Sequence, residues 1–214
     1  MPKPTAVTPR PHQGRRATIN SEDLLTAALT LVGPHRSIST LSLREVAREA
    51  GIAPNSFYRH FRDIDELAVA LIEKAGTALR VIIREARLRA AQERSVVRSS
   101  VEVFIQQLQT GENYLHLLLR EGTVGSDAFK EAVEKQLHYF EEELCVDLVR
   151  LAELKGTGIH RPDLVARAIT RLVFAVGGSA MDLPVSEHER IIDELATMVR
   201  MIIRGTQAMA AEQD

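Results

Sequence analysis

One stretch constrains the fold of this 214-residue chain more than any other: residues 42–61 read SLREVAREAGIAPNSFYRHF. Ser42 followed by Glu45 is a capping box, which predicts that a helix begins there. Gly51 predicts where that helix ends, because glycine reaches a positive φ without a Cβ clash. Pro54 suits the first turn of a new helix, where a backbone N–H would have no partner anyway. The stretch therefore predicts two short helices joined by a sharp turn.

The second helix of this pair is predicted to have an apolar inner face and a polar outer face. The inward side chains are Ile52, Phe57 and Phe61, and the outward ones are Asn55, Ser56, Tyr58, Arg59 and His60. Hydrogen-bonding groups of this kind read base edges and hold phosphates when a helix enters the major groove of DNA. We therefore predict a helix-turn-helix DNA-binding unit. The alternative is an ordinary helical hairpin with a solvated polar face.

Charge is unevenly divided along the chain. Residues 1–63 carry nine Lys or Arg against five Asp or Glu, a net charge of +4, whereas the whole chain has −2, so the remainder has −6. A basic first part suits a domain that meets a polyanion. Residues 1–16, with Arg10, Arg15 and Arg16, are predicted to be a flexible basic arm that either contacts DNA or is a solubilising tail.

Helical periodicity covers nearly all of the chain after this arm. Asn20 or Ser21 is expected to cap a first helix that ends at Gly33 and Pro34, and Asp63 with Glu66 to cap a long helix that reaches about residue 91. Further helices are predicted over residues 95–110, 113–121, 126–155, 162–181 and 187–210, with breaks at Gly111, residues 122–125, residues 156–158 and Pro184. No strand alternation or repeat is present. The predicted fold class is all-α, with about nine helices in two groups.

Several classes of protein are excluded by composition and motif content. No apolar run approaches the ~18 residues of a membrane span, and the first residues lack the apolar centre of a secretory signal, so a cytoplasmic protein is expected. The seven histidines show no pair at metal-ligand spacing, and no phosphate loop or activated nucleophile is present. We therefore predict no metal, no cofactor and no enzyme activity. Cys145 is expected to be a small buried thiol, and the three glutamates at 141–143 are expected to form a solvated helix face.

Residues 17–67 resemble the DNA-binding domain of the TetR family of transcriptional regulators. The resemblance is carried by LSLREVAREAGIA at residues 41–53 and FYRHF at residues 57–61. It implies a three-helix DNA-binding domain over residues 17–66, joined by a long fourth helix to an α-helical ligand-binding and dimerisation domain over residues 67–214. It also implies a homodimer that binds a palindromic operator in double-stranded DNA. The positions that match the family's DNA contacts are Ser42, Arg44, Ala53, Asn55, Ser56, Tyr58, Arg59 and His60.

The resemblance assigns expected roles to those contacts and also shows one departure. Tyr58 and His60 are expected at phosphates, Arg44 and Arg59 at base edges or phosphates, and Asn55 and Ser56 at the floor of the groove. Many relatives have a lysine at the start of the fourth helix, where this chain has the acidic run DIDE at residues 63–66. Because those acids cap the helix and repel phosphate, no cation contact is expected there.

A narrower similarity points to lipid metabolism. Residues 42–63 are similar to the FabR and DesT type of repressors of unsaturated fatty acid synthesis and desaturation, and LLLRE at residues 117–121 with Ala128 and Phe129 extends the similarity. It implies that a long-chain acyl-CoA effector modulates operator binding. The expected walls of its acyl tunnel are Ile83, Phe104, Leu108, Leu118, Phe129, Leu137 and Phe140. Its phosphates are expected at Arg80, Arg84 and Arg87, unless these arginines pair with Glu73 and Glu85.

The last two helices are expected to form either the dimer interface or an internal core. Their apolar and small residues are Ile169, Leu172, Val173, Val176, Gly177, Ala180, Ile191, Leu195, Met198, Val199 and Ile202. Two other functions remain open. One is a TetR-type regulator of efflux or catabolic genes that is induced by another small molecule. The other, from a different class, is a helical enzyme or adaptor without DNA binding.

Overall fold

The computed structural model describes residues 20–32, 36–90, 96–110 and 113–212. These residues form the helices α1 (Ser21–Leu31), α2 (Leu43–Glu49), α3 (Pro54–Phe57), α4 (Ile64–Ala90), α5 (Val96–Gln106), α6 (Tyr114–Val124), α7 (Asp127–Lys155), α8 (Pro162–Ala180) and α9 (His188–Ala211). Three short 3-10 turns join them at Ile38–Thr40, Gln107–Gln109 and Val185–Glu187. The all-α prediction is confirmed. The predicted arm and the predicted breaks at Gly33, Pro34 and Gly111 lie outside the described residues.

Local sequence signals set most of the helix ends. Asn20 and Asp23 form a complete capping box at the start of α1. At the start of α4, the N–H of Glu66 donates to Asp63 Oδ1 over 2.8 Å. Gly156 ends α7 with a φ of +60°, a left-handed conformation that glycine adopts without strain. These helix boundaries follow the expectations from capping chemistry.

One predicted break was partly wrong. Helix α6 continues through Gly122 to Val124 and ends before Gly125. A Cβ at Gly122 would lie 3.1 Å from Cγ1 of Val133 in α7, so this glycine relieves a tight helix contact instead of stopping the helix. A sequence alone does not distinguish these two uses of glycine, because both favour the absence of a side chain.

Helices α1–α3 and the first turns of α4 form a small head, whose buried residues belong to one core cluster with those of the body. Leu24, Val46, Phe57, Leu67 and Leu71 are all fully buried there. Burial of a side chain of this size contributes about 1.5–3 kcal/mol each. The head is therefore held together by packing of four helices and is continuous with the rest of the chain through α4.

Helix α4 leaves the head and packs against α5, α6 and α7 in the larger body. Gly76 allows α4 to approach α7 closely, since a Cβ there would lie 2.6 Å from Cγ of Gln136. Gln136 is buried, and its Oε1 accepts a 2.6 Å hydrogen bond from Arg80. The contact between the two helices is thus fixed by both shape and hydrogen bonding.

The arginines at 80, 84 and 87 pair differently from either sequence expectation. Arg80 forms an ion pair with Glu143 at 3.2 Å, and Arg87 donates to Asp147 at 2.7 Å, both across to α7. The predicted pairing with Glu73 and Glu85 was wrong, because α7 supplies closer carboxylates and Glu73 instead pairs with Lys135. Arg84 is exposed.

The glutamates at 141–143 do not form a solvated face. Glu141 is 6% exposed and accepts a 2.9 Å hydrogen bond from Arg171 of α8. Glu143 pairs with Arg80, and Glu142 alone of the three is exposed. Consecutive helical residues point in directions about 100° apart, so a run of three cannot share one face. Cys145 is free and half-buried, less buried than expected.

Candidate nucleic-acid interface and effector cavity

The turn between α2 and α3 has the geometry that its sequence predicted. Ser42 Oγ accepts from the N–H of Glu45, and the N–H of Ser42 donates to Glu45 Oε2 over 2.9 Å, which completes the capping box. Gly51 has a φ of +69°. The N–H of Ile52 then donates to Ala47 O over 2.9 Å, so the chain reverses sharply before α3 begins. The relative placement of α2 and α3 is therefore set by backbone geometry.

Helix α3 is short, and a hydrogen-bonded turn continues it. It begins at Pro54 and ends at Phe57, after which the N–H of Phe61 donates to Phe57 O over 3.1 Å. Both phenylalanines are buried, with ring centroids 5.9 Å apart. Ile52 is half-buried. The apolar face therefore points into the head as predicted.

The predicted contact residues of this segment face outward to different degrees. Asn55, Tyr58 and Arg59 are exposed, with 62% exposure for Tyr58. Ser56 and His60 are half-buried. The anchoring of the two phenylalanines leaves these side chains in reach of a ligand on the outer surface of the head.

Ala53 and Ser42 serve the helix starts in the described structure. Ala53 is the exposed N-cap residue of α3, and its carbonyl accepts a 2.8 Å hydrogen bond from the N–H of Ser56. The hydroxyl of Ser42 also donates to Glu45 Oε2 over 2.9 Å. Ser42 therefore has its hydroxyl engaged in the capping box, and a phosphate contact through that hydroxyl would compete with the cap.

Helix α2 presents two cations, of which sequence reasoning identified one. Arg44 and Arg48 are exposed and lie one helical turn apart, so they share a face. Neither has an ion-pair partner among the described residues, whereas Arg36 is bound to Glu45 at 2.8 Å. The spacing of four residues from Arg44 was the signal that could have identified Arg48.

The carboxylate of Glu45 is held ionised at the base of α2. Hydrogen bonds from Arg36 and from Ser42 lower the pKa of Glu45 to about 2. The same carboxylate therefore caps α2 and binds Arg36. Because Arg36 is already paired, it is not free to bind a DNA phosphate.

The start of α4 is unsuited to an anion. Asp63 accepts the N–H of Glu66, and Arg62 donates to Asp63 at 3.1 Å. These bonds lower the pKa of Asp63, the backbone bond from Glu66 contributing most. The N–H of Arg62 is taken up by Glu66 at 2.5 Å. A phosphate at this helix end would have to displace carboxylates, which agrees with the absence of a predicted contact here.

A cavity of about 480 Å³ lies in the body between α4, α5, α7, α8 and α9. Its walls include Phe104, Phe140 and Phe174, whose rings meet edge to face with centroids 5.3 Å apart. Pockets of about 300–1,000 Å³ with mostly apolar walls are typical ligand sites. This cavity is the candidate effector site.

Three of the seven expected wall residues line the cavity: Ile83, Phe104 and Phe140. The other four, Leu108, Leu118, Phe129 and Leu137, are buried in the core and do not line it. Bulky apolar character predicts burial but not which buried residues border a cavity. Sequence reasoning missed the walls contributed by α9, among them Val199 and Ile203, because that helix was considered only for dimerisation.

Two hydrogen bonds tie α6 and its N-cap to the head. Asn113 Nδ2 donates to Val32 O over 3.1 Å, next to the end of α1. Glu121, which is fully buried, accepts the N–H of Ile38 over 2.9 Å. The head is therefore joined to the body through α6 as well as through α4.

Residues 24–71 match the family model for bacterial regulatory proteins of the tetR family. The matched segment contains α2, the turn at Gly51 and α3 described above. This segment is therefore similar in sequence to the DNA-binding part of tetR-family regulators. The helix-turn-helix prediction is thereby confirmed.

Solved structures share the fold of this chain over most of its length. A transcriptional regulator from Rhodococcus sp. Rha1 is 20% identical, with 88% of this chain and 98% of that chain covered and a TM-score of 0.67. The reduced form of E. coli NemR is 21% identical, with 86% and 96% covered and a TM-score of 0.65. The fatty acid degradation regulator FadR from Bacillus halodurans is 13% identical, with 82% and 97% covered and a TM-score of 0.62.

Two other kinds of site are absent from the residues that the structure describes. No group of three or more His, Cys, Asp or Glu side chains within the described ranges is placed to hold a metal ion. No helix in the part of the chain that the structure describes is long and apolar enough to cross a membrane. The head surface and the body cavity are thus the two sites with an evident functional geometry.

Proposed function

We propose that this chain is a TetR-type transcriptional regulator that represses genes of unsaturated fatty acid synthesis or desaturation, and that a long-chain acyl-CoA in the body cavity modulates its binding to a palindromic operator. The observation that carries the proposal is the joint presence of an outward-facing α3 segment in the head and an apolar cavity whose wall includes α4. Helix α4 thus belongs both to the head and to the wall of the cavity. If α4 can occupy two positions, a ligand with a higher affinity for one of them increases the population of that conformation. The position of the head, and hence DNA binding, changes with it.

The exposed side chains of the head support the DNA half of the proposal. Arg59 and Tyr58 extend from the end of α3, and Arg44 and Arg48 extend from α2. Cations that lack carboxylate partners are available to phosphates, and a guanidinium group can also bind a guanine edge through two hydrogen bonds. We assign Arg44, Arg48, Tyr58 and His60 to positioning on phosphates, and Arg59 and Asn55 to base contacts.

The cavity wall supports the effector half. Ile83 and Arg87 of α4 line the cavity, and Arg87 donates to Asp147 of α7 within the same wall. A ligand that fills the cavity contacts this ion pair directly, and so acts on the junction between α4 and α7. Aromatic and aliphatic walls suit an acyl chain, and a bent and a straight chain would require differently shaped space.

Exposed apolar residues on α8 and α9 support a homodimer. Met201 and Met209 are 66% and 51% exposed, and Leu164 is 44% exposed. The half-buried Leu172, Val176, Met198 and Ile202 extend this surface, whereas Ile169, Gly177, Ala180, Ile191, Leu195 and Val199 are buried within the protomer. The residues expected at a dimer interface therefore divide between core and surface. A second copy covering the surface set would place two heads on two half-sites.

The test is an operator-binding titration at fixed salt. Duplexes from upstream of fatty acid synthesis and desaturase genes, and of the regulator's own gene, are titrated with oleoyl-CoA, with palmitoyl-CoA and without ligand. The proposal predicts specific binding that the two thioesters change to different extents. Arg190→Ala, which removes one exposed cation from α9 in the body, is the matched control for Arg59→Ala in the head.

Three outcomes separate the candidates. Specific binding that ignores both thioesters would remove the lipid effector and favour a regulator of efflux or catabolic genes with another inducer. Specific binding to its own upstream region alone would remove the lipid genes as targets. Absence of specific binding to every duplex would contradict the proposal as a whole.

A further inference from the structure

Exposed cations of α7 and α9 border the cavity, and we call this group, Lys155, Arg200 and Arg204, the rim. Lys155 is the last residue of α7, and Arg200 and Arg204 lie one turn apart on α9; all three are exposed and line the cavity. The segment after α7 touches the end of α9, where Gln207 Nε2 donates to Thr157 Oγ1 over 3.4 Å. Cations from two helices therefore meet at one rim.

These three cations lack acidic partners within the described ranges. Arg200 donates to the hydroxyl of Thr197 over 3.0 Å, which leaves its charge uncompensated. The acid in the cavity wall, Asp147, is already bound by Arg87 at 2.7 Å and by Arg150 at 3.0 Å. The rim therefore has an excess of positive charge next to an apolar interior.

Two of the three arginines first expected to hold an anion, Arg80 and Arg87, are committed elsewhere, and Arg84 does not line the cavity. Arg80 is bound to Glu143 and Gln136, and its guanidinium lies 4.9 Å from the ring centre of Tyr139. Arg87 is bound to Asp147. An anionic ligand group that bound Arg80 or Arg87 would have to break these contacts, whereas one that bound the rim of α7 and α9 would not.

We infer that Lys155, Arg200 and Arg204 bind the anionic head of an amphiphilic effector whose apolar chain lies against Phe104, Phe140 and Phe174. The shared chemistry is a carboxylate or a phosphate attached to an apolar chain of lipid type. Charge-assisted hydrogen bonds to such a head fix which end of the ligand enters the cavity. The inference rests on the proposed effector role of the cavity and adds the polarity and direction of the ligand.

Direct binding of defined probes to the full chain tests the inference without DNA. Oleate, oleoyl-CoA, uncharged methyl oleate and cationic oleylamine are titrated by calorimetry, each below its aggregation concentration. The proteins are the unmodified chain, Lys155→Gln and the double variant Arg200→Gln/Arg204→Gln. Arg190→Gln is the matched control, because it removes an exposed charge from α9 outside the cavity wall.

The expected result is that an anionic probe binds more tightly than methyl oleate and much more tightly than oleylamine. The double variant is expected to weaken an anionic probe on the order of tenfold and to leave methyl oleate unchanged. Added salt should weaken the anionic probe alone, since the rim is exposed to solvent. A loss confined to oleate identifies a carboxylate head, and a loss confined to oleoyl-CoA identifies phosphates.

Two results would overturn the inference, and the first of them is distinct from failure of the proposed function. Equal affinity for oleate, oleoyl-CoA and methyl oleate would show that the rim does not select an anion, while a lipid effector would still be supported. If no probe bound at all, both the anion-binding rim and the proposed lipid effector would be contradicted. Charge-selective binding that leaves operator affinity unchanged would contradict the regulatory role of acyl-CoA and leave the anion site in place.

Discussion

At the scale of single residues, we propose that the head separates contacts that read the DNA sequence from contacts that only position the protein. Arg59, at the end of the α3 segment, is assigned to a base edge, and Arg48, in α2, to a phosphate. Arg59→Ala is expected to cost about 1–3 kcal/mol of operator binding and to relax specificity at one base position. Arg48→Ala should weaken all duplexes alike and lower the salt slope by about one unit. Anisotropy titrations on an operator and on its single-base variants measure both effects, and equal behaviour of the two variants would contradict the assignment.

The folding stability of the head is expected to depend on pH through the carboxylate of Glu45. Its pKa is about 2 in the folded protein and near 4.5 in the unfolded chain, so its stabilising effect is complete above pH 4.5 and is lost as the pH falls towards 2. We expect Glu45→Gln to lower the melting temperature at pH 7 and the difference from the unmodified protein to shrink between pH 4.5 and pH 2. Thermal unfolding followed by circular dichroism measures it. A difference that is the same at pH 7 and at pH 2 would rule out this ion pair as its cause.

At the scale of helices, the cavity depends on one glycine of α8. A Cβ at Gly177 would lie 2.8 Å from Cε1 of Phe104, a ring that lines the cavity. Gly177→Ala is therefore expected to push this ring into the cavity, to cost about 1–3 kcal/mol of folding stability through overpacking and to weaken effector binding. Chemical denaturation and calorimetry measure the two effects.

Gly178 offers a matched control in the same helix. A Cβ there meets no atom within 4 Å in the protomer. Gly178→Ala should leave effector affinity unchanged and stabilise α8, because alanine is favoured over glycine in a helix by about 1 kcal/mol. If Gly178→Ala weakened the effector as much as Gly177→Ala, displacement of Phe104 would not be the cause.

At the scale of the whole molecule, the exposed surface of α8 and α9 predicts the assembly. Met201→Asp places a charge at the centre of the proposed dimer interface and should convert a particle of twice 23.8 kDa into a monomer. Operator affinity should fall sharply with it, because each monomer reaches one half-site. Sedimentation equilibrium gives the mass, and Met201→Leu should remain dimeric. A monomeric unmodified protein with full operator affinity would exclude the dimer.

The sequence alone was sufficient for features that depend on local chemistry. The capping box of Ser42 and Glu45, the positive φ at Gly51 and the inward turn of Phe57 each follow from neighbours in the chain, and together they predicted the head. Helix lengths followed from the same signals.

Features that depend on distant parts of the chain could not be predicted in the same way. Glu141 was expected in solvent, but α8 supplies Arg171 to it across 30 residues. Leu118 and Phe129 are as apolar as Phe104, and only tertiary packing determines which of them borders the cavity. Likewise, only tertiary packing brings Lys155 of α7 and Arg204 of α9 into one wall of the cavity.

The most direct test of the account is selection of operators from the fragmented source genome by the purified full chain, followed by sequencing of the bound fragments. We predict enrichment of an inverted repeat whose half-sites lie in successive major grooves on one face of the duplex, and loss of that enrichment with Arg59→Ala but not with Arg190→Ala. Retention of fragments without any common sequence, weakened equally by both variants, would show that the protein binds DNA only through its overall charge and would contradict the proposed role as a sequence-specific regulator.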